Sequence, residues 1–178
     1  MIVVFRLSHR LPRDERITTH VALVARAFGA DGMNYSGQRD VGLESSVSRL
    51  AQRWGGDFFI EYKEKYLNAI KGYKEKGFTI VHLTMYGVPL PEAFQNIEKA
   101  ENLLIIVGSE RVPKEIYDVS DFNIAITSQP HSEVAALAIF LEKLKSGKQL
   151  ERDFDKRFGG RLRIKPSERG KVIEGGSP

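Results

Sequence analysis

The sequence predicts an α/β domain with a mostly parallel sheet of about six strands and helices on both faces. Short runs rich in Val, Ile and Phe alternate with helical patterns over the first 145 residues. These runs are almost continuously apolar, as expected for parallel strands that are covered on both faces. Because no apolar run approaches the roughly 20 residues that span a bilayer, we expect a soluble, cytoplasmic protein.

The order of the elements follows from these patterns. The strands are predicted at IVVFRL (2–7), MNYS (33–36), FFIEY (58–62), FTIVHLT (78–84), LLIIVG (103–108) and FNIAIT (122–127). The helices are predicted at residues 19–28, 43–53, 63–76, 91–99 and 132–145. Thr18 or Thr19 is the expected N-cap of the first helix, and Gly29 is suited to end it. Pro91 suits a first helical turn, and Pro113 can start a further short helix.

The charge of the chain is concentrated near its end. Residues 143–178 hold 11 basic and 5 acidic side chains, whereas residues 1–142 hold 16 basic and 18 acidic side chains. We therefore divide the chain into a main domain, residues 1–147, and a basic C-terminal extension, residues 148–178, with a short helix and a hairpin expected in it. A cationic segment attracts a phosphate backbone, although a solvated tail that keeps the protein soluble is an equal alternative.

Several classes of chemistry have no support in the sequence. The chain has no Cys, so disulfides, thiolate zinc sites and cysteine nucleophiles are excluded. Its four histidines do not have metal-ligand spacing, and we expect no metal. No GxGxxG motif follows the first strand, and neither a GxxxxGK[ST] loop nor a GxSxG elbow occurs.

Three strand ends carry residues suited to ligand binding. They are HLTMYG (82–87), IVGSERVP (106–113) and ITSQPHSEVAAL (126–137). Ligands of open parallel sheets bind beyond the carboxyl ends of strands, where loop amides and helix N-termini converge. Gly108 allows close backbone approach, and Ser132 can cap a helix. The alternative is that Gly108 and His131 are ordinary turn and loop residues, and the residues alone do not specify a reaction.

The segment IVGSERVP, followed about twenty residues later by ITSQPHSEVAALAIFL, resembles the paired cofactor loops of SPOUT methyltransferases. The resemblance is closer still to archaeal tRNA (cytidine-56) 2′-O-methyltransferases, and it spans residues 1 to about 175, including VFRLSHR and RDERITTHVALVARAFGADG. It implies a deep trefoil knot, a homodimer, and methyl transfer from S-adenosylmethionine to a ribose 2′-hydroxyl in the T loop, with S-adenosylhomocysteine as product. The implied partners are tRNA and a second copy of the chain, without membrane or DNA.

The resemblance also implies three cofactor-binding loops. Their residues are Leu83, Thr84, Met85, Gly108, Ser109, Glu110, Arg111, Val112, Ile126, Ser128, Gln129, Pro130, His131, Ser132 and Glu133. Backbone groups of such loops can recognise the edge of adenine while apolar side chains cover its ring. Free amides near Ser132 can hold the methionine carboxylate.

The first motif of the related enzymes has an Asn and, six residues later, an Arg in the first helix, and a Gly follows after two further helical turns. The segment HVALVARAFGA matches if His20 replaces the Asn and about one helical turn is missing before Gly29. Arg26 is then the first candidate for the catalytic residue and Arg16 the second. The alternative is that Arg26 only ends a helix, where the helix dipole favours a cation.

Basic residues in two segments are the candidates for binding tRNA phosphates. They are Arg6, His9, Arg10, Arg13 and Arg16 near the first strand, and Lys156, Arg157, Arg161, Arg163 and Lys165 in the extension.

Three other functions remain open at this stage. One is a methyltransferase of the same fold that modifies a base nitrogen or another tRNA or rRNA nucleotide. Another is a non-catalytic RNA-binding protein in which the predicted cofactor loops are only core turns. The third, a small-molecule α/β enzyme, has no triad, metal cluster or phosphate loop to support it.

Overall fold

The structure, a computed structural model, describes residues 1–108, 111–151 and 154–175. Its centre is a six-stranded sheet in the order β3-β2-β1-β5-β4-β6. The strands are β1 (Ile2–His9), β2 (Gly32–Gly37), β3 (Phe59–Tyr62), β4 (Thr79–Pro89), β5 (Leu103–Val107) and β6 (Phe122–Ala125). All neighbouring pairs are parallel, which confirms the predicted fold class.

Helices cover both faces of the sheet. They are α1 (Glu15–Ala27), α2 (Val41–Trp54), α3 (Tyr66–Glu75), α4 (Leu90–Ile97), α5 (Lys114–Val119) and α6 (Glu133–Lys145). On one face Val4 belongs to a core cluster with residues of α1, α2, α4 and α6. On the other face Phe5 packs in a cluster with Ile70 of α3 and Ile116 of α5. Successive side chains of β1 point to opposite faces of the sheet, and each face is covered by helices. The side chains on both faces must therefore be mostly apolar, which explains the continuous apolar run of β1.

The start of α1 differs from the prediction. The helix begins at Glu15, four residues earlier than expected, and neither Thr18 nor Thr19 caps it. The hydroxyl of Thr18 is buried 2.9 Å from Nδ1 of His9, and that of Thr19 donates to the carbonyl of Glu15 at 2.8 Å. The cap prediction was wrong because a threonine near a helix start can equally bond to a neighbouring strand or to its own helix.

Strand β4 contains an irregularity that matters for the site. Its register with β6 shifts between Leu83 and Val88, so residues 84–87 leave the regular ladder. The strand then resumes and ends at Pro89, beyond the predicted end at residue 84, and α4 follows directly. A Cβ at Gly87 would lie 2.4 Å from the carbonyl oxygen of Asn123, so a side chain does not fit where this segment approaches β6.

Residues after Gly147 pack at the far end of α2. They form two 3-10 helices (Lys148–Leu150 and Phe154–Phe158) and an antiparallel hairpin, β7 (Arg163–Lys165) with β8 (Val172–Glu174), which confirms the predicted hairpin. The amide of Gly56 donates to the carbonyl of Phe158 at 2.7 Å, and that of Leu162 donates to the carbonyl of Arg53 at 3.2 Å. Because α2 runs back from the end of β2 to the start of β3, the extension lies at the amino-terminal edge of the sheet.

Across the described parts of the chain, no helix combines the length and apolar character needed to traverse a membrane.

Candidate functional site

A cavity of about 420 Å³ lies at the carboxyl ends of β4 and β5, next to the start of α6. Its wall consists of His82, Leu83, Thr84, Met85, Tyr86, Val107, Gly108, Val112, Tyr117, Pro130, His131, Glu133 and Ala136. The volume falls within the range of roughly 300–1,000 Å³ that is usual for small-molecule pockets. The irregular segment 84–87 of β4 contributes three of these residues, because it has left the sheet at this point.

The three predicted loops converge on this cavity. The predicted residues in its wall are Leu83, Thr84, Met85, Gly108, Val112, Pro130, His131 and Glu133. Those outside the wall are Arg111, Ile126, Ser128, Gln129 and Ser132, of which Ile126 packs against the core. Ser109 and Glu110 lie outside the described residues. The structure therefore brings the three loops together but does not give every predicted residue a place in the wall.

Three polar residues of the wall, His82, Tyr86 and Tyr117, were not among the predicted site residues. His82 lies in the segment HLTMYG, one position before the predicted residues, and its side chain is completely buried. Nδ1 of His82 lies 2.9 Å from Oδ1 of Asn123, and the His82 ring stands edge-to-face with Tyr117 at 4.8 Å. The hydroxyl of Tyr117 lies 3.1 Å from Oγ1 of Thr84. Tyr117 belongs to α5, a helix of six residues that is too short for periodicity to indicate its inner face.

A buried ion pair joins the wall of the cavity to the central strand β1. Nε of Arg6 lies 2.8 Å from Oε1 of Glu133, and only 2% of the Arg6 side chain is exposed. The guanidinium also donates to the carbonyl of Leu7. Burial lowers the pKa of Arg6 and raises that of Glu133, and the attraction between the two charges opposes both shifts. The pair therefore ties the first turn of α6 to the carboxyl end of β1.

This arrangement corrects the expectation that Arg6 and His9 bind tRNA phosphates. Arg6 is buried against Glu133, and His9 is completely buried, with Nε2 3.5 Å from Oδ2 of Asp40. The Arg6 cation cannot contact a phosphate without leaving its partner. Burial lowers the pKa of His9, which favours the neutral ring, and its side chain has no exposed surface for a phosphate. The neighbouring Arg10 is partly exposed, with Nε 3.0 Å from Asp14, and Arg13 is exposed.

The two candidate catalytic arginines lie at opposite ends of α1. Arg16 is exposed in the first turn, at the carboxyl edge of the sheet and therefore on the same edge as the cavity. Arg26 is in the last turn, where its side chain is buried and donates to the carbonyl of Gly55. Its guanidinium also lies 4.7 Å from the centre of the Phe158 ring. The structure thus contradicts a place for Arg26 in the cavity of its own chain, because α1 carries it to the other edge.

The basic residues of the extension also lie away from the cavity. Lys156, Arg157, Arg161, Arg163 and Lys165 are all exposed. The guanidinium of Arg157 lies over Phe154 and Phe158, and Nζ of Lys165 is 3.5 Å from Glu174. A second cavity of about 370 Å³ is lined jointly by residues of this extension and by the ends of α1 and α2. Within one chain, the extension and the loop cavity therefore occupy opposite edges.

Among the residues that the structure describes, no group of three or more His, Asp or Glu side chains is arranged to hold a metal ion.

Solved structures with the same fold include RNA-modifying enzymes. The A. aeolicus TrmH/SpoU tRNA modifying enzyme is 18% identical, with a TM-score of 0.60 over 89% of this chain and 79% of that chain. An AdoMet-bound rRNA methyltransferase from Sinorhizobium meliloti is 16% identical, with a TM-score of 0.58 over 83% of this chain and 56% of that chain. These similarities define the fold as that of the TrmH/SpoU enzymes.

Sequence comparison narrows this class to a family. The family described as "tRNA ribose 2'-O-methyltransferase, aTrm56" matches residues 54–174. A Methanopyrus kandleri protein is 48% identical over 97% of this chain and 95% of its own length, and a Thermococcus kodakarensis protein is 46% identical over 97% and 96%. Both are named tRNA (cytidine(56)-2'-O)-methyltransferase. The chain belongs to the aTrm56 family of tRNA ribose 2′-O-methyltransferases.

The buried His82 makes the stability of the fold depend on pH. Burial lowers the pKa of His82 below its usual value of 6.5, so the folded protein keeps the ring neutral where the unfolded chain protonates it. The free energy of unfolding should therefore fall as pH drops below about 6.5, by up to about 1.4 kcal/mol per pH unit for one histidine. Urea unfolding at about pH 7.5 and about pH 5.5 measures this loss, which should be smaller in a His82→Gln variant. The matched variant at the exposed His20, His20→Gln, should keep the wild-type difference, and an equal change in both variants would contradict the role given to His82.

Proposed function

We propose that the protein transfers a methyl group from S-adenosylmethionine to the ribose 2′-hydroxyl of cytidine-56 in tRNA. The observation that carries this proposal is the match, nearly end to end, to relatives that are named for this reaction. The convergence of the three predicted loops on one cavity supports it. We further propose that the protein acts in the cytoplasm and that the chain contains the trefoil knot implied by the resemblance.

The cavity suits an adenosine-containing cofactor. Leu83, Val107, Val112 and Ala136 provide apolar surface that can cover an aromatic base. Ser132 caps α6, its hydroxyl accepting from the amide of Val134 at 3.2 Å, and other amides of this first turn have no partner within the helix. Such amides can bind a carboxylate, with the helix dipole adding to the attraction. When bound, the cofactor supplies an electrophilic sulfonium methyl group.

The chain must hold the ribose hydroxyl in line with that methyl group and favour loss of its proton. Positioning of this kind can contribute roughly 7–11 kcal/mol. We propose that Arg16 stabilises the negative charge that develops on the oxygen, because it is exposed at the same edge as the cavity. Since a guanidinium stays protonated, Arg16 does not accept the proton. Arg26, buried against Gly55 and Phe158, instead stabilises the junction with the extension.

We also propose that the active form is a homodimer. In one chain the basic extension and the cavity lie at opposite edges of the sheet, so the extension does not line the cavity of its own chain. A second subunit can bring its own extension close to the cavity of the first, and tRNA would then contact residues of both chains. Most soluble oligomers are homo-oligomers with closed symmetry, and twofold dimers are the commonest.

Mapping the methyl group tests the proposed function directly. The protein is incubated with unmodified tRNA and methyl-labelled S-adenosylmethionine, and the product is digested with nuclease and analysed by mass spectrometry. We expect 2′-O-methylcytidine at position 56, and no product with a tRNA that carries deoxycytidine there. A methylated base nitrogen or another nucleotide would show a different target. If calorimetry detects no binding of S-adenosylmethionine, a non-catalytic RNA-binding protein is the better account.

The two arginines of α1 should respond differently to substitution. Arg16→Ala should lower kcat by about a hundredfold or more and leave cofactor affinity unchanged, as removal of one oxyanion-stabilising donor does in other enzymes. Arg26→Ala should instead lower the melting temperature by several degrees, because it removes a charged hydrogen bond and a cation–π contact worth roughly 2 kcal/mol. Steady-state kinetics, calorimetry and thermal unfolding separate these effects. Normal turnover by Arg16→Ala would eliminate its proposed role.

The extension should bind tRNA phosphates. Arg161→Gln with Arg163→Gln should weaken tRNA binding and reduce the slope of log Kd against log salt concentration by roughly 0.7–0.9 for each phosphate that is no longer neutralised. Affinity for S-adenosylhomocysteine should not change. The control removes the same charge from exposed positions in and just after α3, with Lys71→Gln and Lys76→Gln. Equal tRNA affinity and salt slope for both double variants would refute the role of the extension.

A further inference from the structure

His82 presents a buried nitrogen with no hydrogen-bonding partner. The side chain is completely buried on β4 and forms part of the cavity wall. Within the described parts of the chain, Nε2 makes no hydrogen bond. Leaving a buried polar atom unpaired costs roughly 1–3 kcal/mol, and native proteins contain few such atoms. Because His82 lines a ligand-sized cavity, a bound ligand is a candidate partner for this atom.

The neighbours of His82 determine which kind of ligand group can pair with it. The side-chain amide of Asn123 donates to the carbonyl of Tyr117 at 3.1 Å, so its oxygen is the atom that faces Nδ1 of His82 at 2.9 Å. An amide oxygen only accepts, and Nδ1 must therefore carry the proton. In the neutral ring Nε2 then has a free lone pair, and it can accept a hydrogen bond but cannot donate one.

Among the wall residues of β4, His82 is the first along the strand. His82 lies within the regular part of β4, in register with Ile106, whereas Thr84 and Met85 belong to the irregular segment beyond it. Its ring is held edge-to-face against Tyr117, whose hydroxyl lies within hydrogen-bonding distance of Thr84. The acceptor is thus held in place before any ligand arrives, which lowers the entropy cost of binding.

We propose that Nε2 of His82 accepts a hydrogen bond from the adenosine moiety of the cofactor, and that His82 is a specificity-determining residue. This inference rests on the proposed use of S-adenosylmethionine. The adenosine moiety offers two kinds of donor, the 6-amino group of adenine and the ribose hydroxyls. A ligand without the correct donor leaves Nε2 unpaired in the buried wall, which is the source of the discrimination.

Binding measurements with matched analogues test the inference without any RNA. Calorimetry compares S-adenosylhomocysteine with an analogue that has hydrogen in place of the 6-amino group and with an analogue that lacks both ribose hydroxyls. The wild-type protein should lose about tenfold in affinity for the analogue that lacks the bonded donor, which corresponds to about 1.4 kcal/mol. His82→Phe should bind S-adenosylhomocysteine about tenfold more weakly and should no longer distinguish it from that analogue. The analogue that shows this coupling identifies the donor.

Two further variants make the outcome independent of whether His82→Phe folds. Asn123→Leu removes the group that fixes the proton on Nδ1, and with His82 itself intact it should reduce both the affinity and the discrimination severalfold. His20→Phe changes an exposed histidine of α1 outside the cavity wall and should leave both at wild-type values. Undiminished discrimination against both analogues in the folded His82 and Asn123 variants would overturn the inference while the proposed function stands. Failure of the wild-type protein to bind S-adenosylhomocysteine would overturn both.

Discussion

The parallel direction of the six strands is the constraint on which the site depends. It places the ends of β4, β5 and β6 at one edge of the sheet, so the loops that follow them must meet there. The same direction requires each connecting helix to return to the opposite edge. A cavity therefore forms where strands end and α6 begins, and the ends of α1 and α2 gather at the other edge with the basic extension.

The ion pair between Arg6 and Glu133 couples the central strand to this cavity. Both partners are substantially removed from water, with 2% and 23% of their side chains exposed. Removing one partner of such a pair leaves an uncompensated charge in the interior, which is costly. The pair therefore constrains where the first turn of α6 lies relative to β1. Because Glu133 and Ala136 belong both to this helix and to the cavity wall, the shape of the wall depends on a residue of β1 outside the predicted loops.

The candidate site was predictable where its residues are continuous in sequence, and not where they come from separate elements. The three loop segments carry distinctive strings, and they meet in the structure as the resemblance implies. Tyr117 gave no signal because α5 is a single short helix, and the polar partner of His82, Asn123, follows 41 residues later. The sequence did not indicate that Arg26 lies away from the cavity of its own chain, because a motif in a helix does not specify which end of the helix lies near that cavity. At 1.5 Å per residue, Arg16 and Arg26 are separated by about 15 Å along α1.

The sequence by itself determined the fold class, the order of the strands along the chain and the family, because continuous apolar runs and long motif strings are local properties. Three features were decided only by the tertiary structure. They are the face of β4 on which His82 lies, the burial of Arg6 and His9, and the end of α1 that lies at the same edge of the sheet as the cavity. Burial and pairing depend on residues far apart in the chain: Arg6 acquires its partner 127 positions later, from the first turn of α6. Local sequence patterns do not specify such a pair, because its two residues meet only when the sheet has formed and the register between its strands is fixed.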